Sequence, residues 1–169
     1  AWDPLGVAVS AATGAVPDYL TGLAVCVRTG SAAESWVQGF LGLTDADGNL
    51  SLPPSVTAVP VATDQECVDA LTGGSVNAWI AGRPTLNVGA TRDNGIVVGD
   101  VTLALVPIAA AVEPAGSTDT SLVDAVNAAI DELRTSGQLA SFSDRAFREG
   151  LTVGPPGGDL RVPQPSASP

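Results

Sequence analysis

Apolar positions along this chain follow two periods. Residues 5–12, 23–28, 56–61 and 76–80 are short runs rich in small and β-branched side chains, and each is bounded by Gly, Pro, Asp or Ser; such runs predict strands. The stretch 96–112, interrupted at Gly99-Asp100 and at Pro107, predicts two more short strands over 96–98 and 101–112. Between them the period changes. Ser31 with Glu34 three residues on forms a capping-box pattern and predicts a helix over 32–41 that buries Trp36, Val37 and Phe40 and stops at Gly42. Thr63 or Asp64 caps a second helix over 65–71, which ends at Gly73-Gly74. After several candidate N-caps between Ser117 and Ser121, the residues Leu122, Val123, Val126, Ala129, Ile130 and Leu133 recur at helical spacing. They predict a long amphipathic helix to Ser136-Gly137, with a last helix over 139–148. Residues 17–22 predict a single turn. Strands that alternate with helices predict an α/β fold with a parallel sheet.

Length and charge narrow the picture. The chain has 169 residues, 45% of them apolar, enough for one well-filled domain. Residues 1–152 are expected to form it. The Pro/Gly/Ser-rich end, residues 153–169, reads as a semi-extended linker or tail. Eighteen acidic residues against 7 arginines give a net charge of -11, which excludes a nucleic-acid partner and keeps a secreted domain soluble. The Ala/Gly/Val/Arg bias with no Lys points to a high-GC bacterium. Without His, conventional catalytic triads are excluded, and no metal or cofactor is expected. Asp45 and Asp47 alternate as calcium ligands would, but Gly48 comes too early for an EF-hand loop, so an Asp-Gly turn is the simpler account. The opening Ala1-Trp2-Asp3-Pro4 is no signal peptide, and no uninterrupted apolar run is long enough to span a bilayer, so a mature product or a trimmed piece of a longer chain is expected. Cys26 and Cys67 lack zinc or redox spacing and form either a disulfide or two buried thiols.

Three segments carry a resemblance. Residues 23–36 (Leu-Ala-Val-Cys-Val-Arg-Thr-Gly-Ser-Ala-Ala-Glu-Ser-Trp), residues 68–85 (from Val68 through Val76-Asn-Ala-Trp-Ile-Ala-Gly82-Arg83-Pro84) and residues 124–142 together resemble the second lobe of type 2 periplasmic binding proteins. The likeness is to the amino-acid-binding family 3 of extracellular solute-binding proteins, over roughly residues 5–150. It implies a single Rossmann-like lobe, a mainly parallel sheet flanked by helices, with residues 5–12 and 103–112 as crossing strands and a long C-terminal helix. It also implies an extracytoplasmic location, where a Cys26–Cys67 disulfide would persist. The ligand-binding set it implies is Thr29, Gly30, Ser31 and Ala32 with Thr63, Asp64, Gly82 and Arg83, at the carboxyl ends of the strands. Gly82 stands where the family carries the acid for a ligand ammonium, and Arg83 is a candidate for an anionic group. Taken without the resemblance, Gly82-Arg83-Pro84 is a strand-to-helix turn and Thr29-Gly30-Ser31 a helix cap.

Two functions follow as expectations. The first is an extracytoplasmic ligand-recognition domain that binds a small solute, an amino acid or an anion, for a membrane transporter or receptor subunit. The second is a lobe that has lost small-molecule binding and serves as a structural or protein-interaction module, dimerising through the face a partner lobe would cover, with residues 101–112 as its candidate contact. Enzymes of this fold include cyclohexadienyl dehydratases and lytic transglycosylases. Glu34, Glu66, Glu113 and Glu132 are the acids such a reading would need, yet each sits where a solvated carboxylate is the default, and no enzyme is expected.

Overall fold

The computed structural model describes residues 1–16, 20–109 and 121–147. In chain order these hold β1 (Trp2–Ser10), a 3₁₀ turn (Ala11–Thr13), β2 (Ala24–Arg28), α1 (Ala32–Val37), β3 (Leu43–Thr44), β4 (Leu50–Ser51) and β5 (Thr57–Val61). There follow α2 (Asp64–Thr72), β6 (Ala78–Gly82), α3 (Arg83–Arg92), β7 (Ile96–Val98), β8 (Ala104–Pro107), α4 (Ser121–Thr135) and α5 (Gln138–Phe147). Of the expected elements, the turn at 17–19, residues 110–112, the caps at 117–120, Glu113, Arg148 and the tail lie outside the described residues.

β1 is the axis of the sheet. Its first half pairs with β8 (Leu5↔Ala104), its middle with β6 (Leu5↔Gly82, Ala8↔Trp79) and its end with β7 (Ala8↔Val98), every pairing antiparallel. The strand begins three residues earlier than its apolar run, through Pro4, and the register shows why Pro is tolerated. Leu5 accepts a hydrogen bond from the Leu103 amide, so residue 5 turns its polar backbone to the β8 side and residue 4 turns the other way. There β6 has already ended, and no donor is required of Pro4.

The full order is β4-β3-β8-β1-β6-β2-β5, with β7 beside the end of β1. The α/β class is as expected, but parallel pairing is confined to β6-β2-β5. The helical crossovers α1, α2 and α3 return β5, β6 and β7 in the direction of β2. β1 precedes the first crossover and runs against them. A hairpin over 43–51, unexpected from the sequence because its strands are two residues long, adds β3 to the edge of β8 through Thr44↔Leu105. Asp45 closes its loop: Oδ1 accepts from the Asp47 and Asn49 amides, each at 2.9 Å. Those hydrogen bonds, Asn49 foremost, hold the Asp45 carboxyl below its ordinary value. This is the Asx turn of a hairpin.

Alternation along the strands divides the core between two faces. On one, Leu5, Val7, Val9, Val25, Val27 and Ile80 pack against Trp36 of α1, whose indole Nε1 donates to Ser51 O at 3.1 Å. On the other, Ala8, Cys26, Trp79 and Ala81 meet Val68 and Leu71 of α2 and Leu86 of α3. Cys26 and Cys67 form a disulfide there, with a Cα–Cα distance of 5.5 Å, bolting β2 to α2; both are fully buried.

α1 is shorter than expected. Gly39 takes φ +77° and closes the helix four residues early, which throws Phe40 outward at 82% exposure instead of burying it. α2 opens with a complete capping box, Thr63 Oγ1 accepting from the Glu66 amide and the Glu66 carboxylate accepting from the Thr63 amide. Glu66→Ala should lower stability by about 1 kcal/mol, the usual worth of a cap, measured by urea denaturation; an unchanged midpoint would show that water replaces the cap. α4 and α5 turn about Gly137 at φ +74°. Of the expected stripe on α4, Val123, Val126, Ile130 and Leu133 are half-buried, whereas Leu122 and Ala129 are exposed.

Candidate functional site

Because β5, β2 and β6 are parallel neighbours, their carboxyl ends share one edge of the sheet. That edge gathers Thr29–Ala32 after β2, Thr63 and Asp64 after β5, and Gly82 and Arg83 after β6. All eight residues expected to form the site lie on these three turns.

Local chemistry then differentiates them. Gly30 sits at φ +75°, which turns its amide toward the start of α1, and that amide donates to Glu34 Oε2 at 2.7 Å. Ser31 caps α1, its Oγ accepting from the Glu34 amide at 3.1 Å. The neighbouring turn repeats the pattern: the Ala62 and Thr63 amides donate to Glu66 Oε2 at 2.8 and 3.3 Å, while the Thr29 amide donates to Val61 O at 2.8 Å. Turn donors that suit an oxyanion are thus already paired with the chain's own carboxylates and carbonyls. Arg28 lies 3.5 Å from Asp64, an ion pair exposed enough to be worth little.

The third turn holds a feature that the sequence does not announce. Gly82 cannot carry a side chain: a Cβ there would stand 2.5 Å from Asp3 Oδ1 and 2.6 Å from Asp3 Cγ, and nearer still to Oδ2. The Asp3 carboxylate fills the space a side chain at 82 would enter. Its Oδ1 is buried without a hydrogen-bond partner, and burial pushes the carboxyl up from 3.8 to about 6. Arg83 leaves the edge. Its stem runs close over Gly6, where a Cβ would come within 2.8 Å of Arg83 Cγ, and Nη1 donates to Gly99 O at 2.9 Å.

A cavity of about 370 Å³ opens between α2 and α3, lined by Asp64, Val68, Trp79, Thr85, Val88 and Gly89 among others, and bordered by Phe147. Gly89 lets α3 lie close against the indole in its wall; a Cβ there would press on Trp79 Cζ3 at 2.8 Å. The cavity lies on the sheet face opposite to Asp3 and takes in only Asp64 of the expected set. No group of three or more His, Cys, Asp or Glu fit to hold a metal occurs among the described residues, and no described helix is long and apolar enough to cross a membrane.

No protein-family model matches this sequence, and no curated protein does. Solved structures do share the fold. The GluR0 ligand-binding core in complex with L-glutamate aligns over 87% of this chain and 61% of its own, with a TM-score of 0.63 and 15% identity. A mutant of the arginine-binding protein from T. maritima aligns over 88% and 59%, at 0.59 and 18%. The substrate-binding protein of an amino acid ABC transporter aligns over 88% and 61%, at 0.54 and 16%. This chain therefore spans about three-fifths of the length of those structures. Among the described residues, a sheet of eight strands in which β1 runs antiparallel to its neighbours, three parallel strands ending on one edge and helices on both faces give this chain the fold of the type 2 periplasmic binding proteins.

Proposed function

We propose that this chain is an extracytoplasmic ligand-recognition domain of solute-binding ancestry, which takes a small solute at the carboxyl edge of β6-β2-β5 for a transport or sensory system. The observation that carries the reading is the gathering of three β–α turns on one edge beside a partnerless carboxylate, Asp3, within a fold whose solved examples bind amino acids. The buried disulfide supports an oxidising compartment. The partner is a membrane transporter or receptor subunit, which the solute-loaded domain would present to.

A second reading rests on a separate observation. Phe40, Leu50 and Leu52, around the added hairpin, are 82%, 65% and 75% exposed. Large apolar side chains left out on one segment favour a protein contact, as in a module that has given up small-molecule binding.

A thermal-shift screen against amino acids, polyamines and small inorganic anions tests the first reading. A ligand at about a hundred times its Kd adds about 2.7 kcal/mol and should raise the melting temperature by several degrees, saturably. A flat screen accompanied by a dimer in light scattering would replace the first reading with the second.

A further inference from the structure

We propose that Asp3 is the solute-binding carboxylate of this edge, and that the solute it selects is a small organic amine whose ammonium is not accompanied by a carboxylate bound at the β–α turns. The inference deepens the solute-recognition reading and rests on it.

Three observations converge. First, the sheet register sets Asp3 against the end of β6: β1 and β6 pair up to Leu5↔Gly82, and by the alternation of strand side chains Asp3 shares the face of Leu5 and Val7, the face on which α1 begins. The Gly at 82 leaves the carboxylate the whole of that space. Second, the carboxylate has no partner. Oδ1 is buried with no hydrogen bond, and no ion pair to Asp3 occurs among the described residues. A desolvated carboxylate is costly unless a cation or donors meet it; Oδ1 is the buried oxygen, and because the residue as a whole is only half-buried, a cation approaches the carboxylate from its Oδ2 side. Third, several of the turn donors that would hold an anion at this edge are already taken by the chain's own acceptors. The Gly30 amide is held by Glu34, and those of Ala62 and Thr63 by Glu66, and Arg83 Nη1 is directed to Gly99 O. An α-amino acid would bring its own carboxylate against Glu34 and Glu66, where like charges repel. A diamine or polyamine brings only positive charge.

The test is calorimetric titration of the whole chain with putrescine, spermidine and L-glutamate. The amines are expected to bind and L-glutamate not. Asp3→Asn, which keeps the shape and removes the charge, should weaken the amine by tenfold or more, the scale of a charge-assisted contact. A second variant guards against a folding artefact: Asp3→Ala with Gly82→Asp sends a carboxylate into the same space from β6 and should recover most of the affinity. Amine binding unchanged in Asp3→Asn, or preference for L-glutamate, would overturn this proposal and leave solute recognition standing. No binding by any probe, in a protein that also fails the wider thermal-shift screen, would remove both.

Discussion

Replacing Cys26 and Cys67 together by Ala is expected to lower the melting temperature by roughly 10 °C or more. The bridge closes a loop across a sequence separation of 41. Chain-entropy bookkeeping for such a loop gives about 4 kcal/mol, a large part of the 5–15 kcal/mol that holds an ordinary domain. Both sulfurs are in the core beside Trp79, Val68 and Leu71, so the loss includes a little packing as well as the crosslink. Scanning calorimetry of the variant against wild type, with wild type reduced under denaturing conditions and refolded in reductant as a second arm, separates the two: the reduced protein lacks the crosslink but keeps both side chains. A fall of only a degree or two in both arms would mean that the unfolded chain is already compact around this loop. The consequence reaches the site. β2 and α2 carry the Thr29 and Thr63 turns at their ends, and the bridge fixes one against the other, so the reduced protein should also bind solute more weakly.

How far the edge could be read in advance depended on whether its contacts are local. Ser31 with Glu34 and Thr63 with Glu66 are three residues apart, so their helix caps were legible. What the caps do to the site was less so: it takes the orientation of Glu34 to show that its carboxylate meets Gly30 and not Ser31. The parallel strands were legible because apolar runs buried on both faces look alike wherever they sit. Strand direction was not, since nothing in residues 5–12 tells that β1 opposes its neighbours. Phe40 sits at helical spacing from Trp36 and was expected inside, but the left-handed Gly39 between them breaks the period. The hairpin over 43–51 gave only a turn signal, for two-residue strands have no period at all. Asp3 was hidden most completely. It precedes a proline, outside the run that marks the strand, and its meaning lies in a glycine 79 positions away that only the β1–β6 register brings near.

Gly82→Asp is expected to cost the fold about 3 kcal/mol or more near pH 7, and Asp3→Ala in the same chain to cancel most of that cost. A Cβ at 82 would overlap the Asp3 carboxylate, so the single variant combines overpacking, about 1–3 kcal/mol, with two like charges in one poorly solvated space. Remove Asp3, and position 82 has room for one acid. Urea denaturation of the four proteins should therefore give a coupling of about 2 kcal/mol or more, at the upper end of what contacting residues show. The pH dependence carries a sign of its own. Burial pushes the Asp3 carboxyl from 3.8 to about 6, so between those values the folded chain keeps a proton that the unfolded chain releases. The stability Asp3 contributes is fully present below 3.8 and is lost as pH rises through about 6. Asp3→Asn should therefore stabilise the unliganded protein near neutral pH, by about 1–2 kcal/mol after discounting for the water that still reaches the group. In acid it should do nothing. A substitution that strengthens the fold at neutral pH and weakens amine binding is the mark of a carboxylate kept for its ligand; equal stability of the two proteins at both ends of the range would show that Asp3 is solvated like any surface acid.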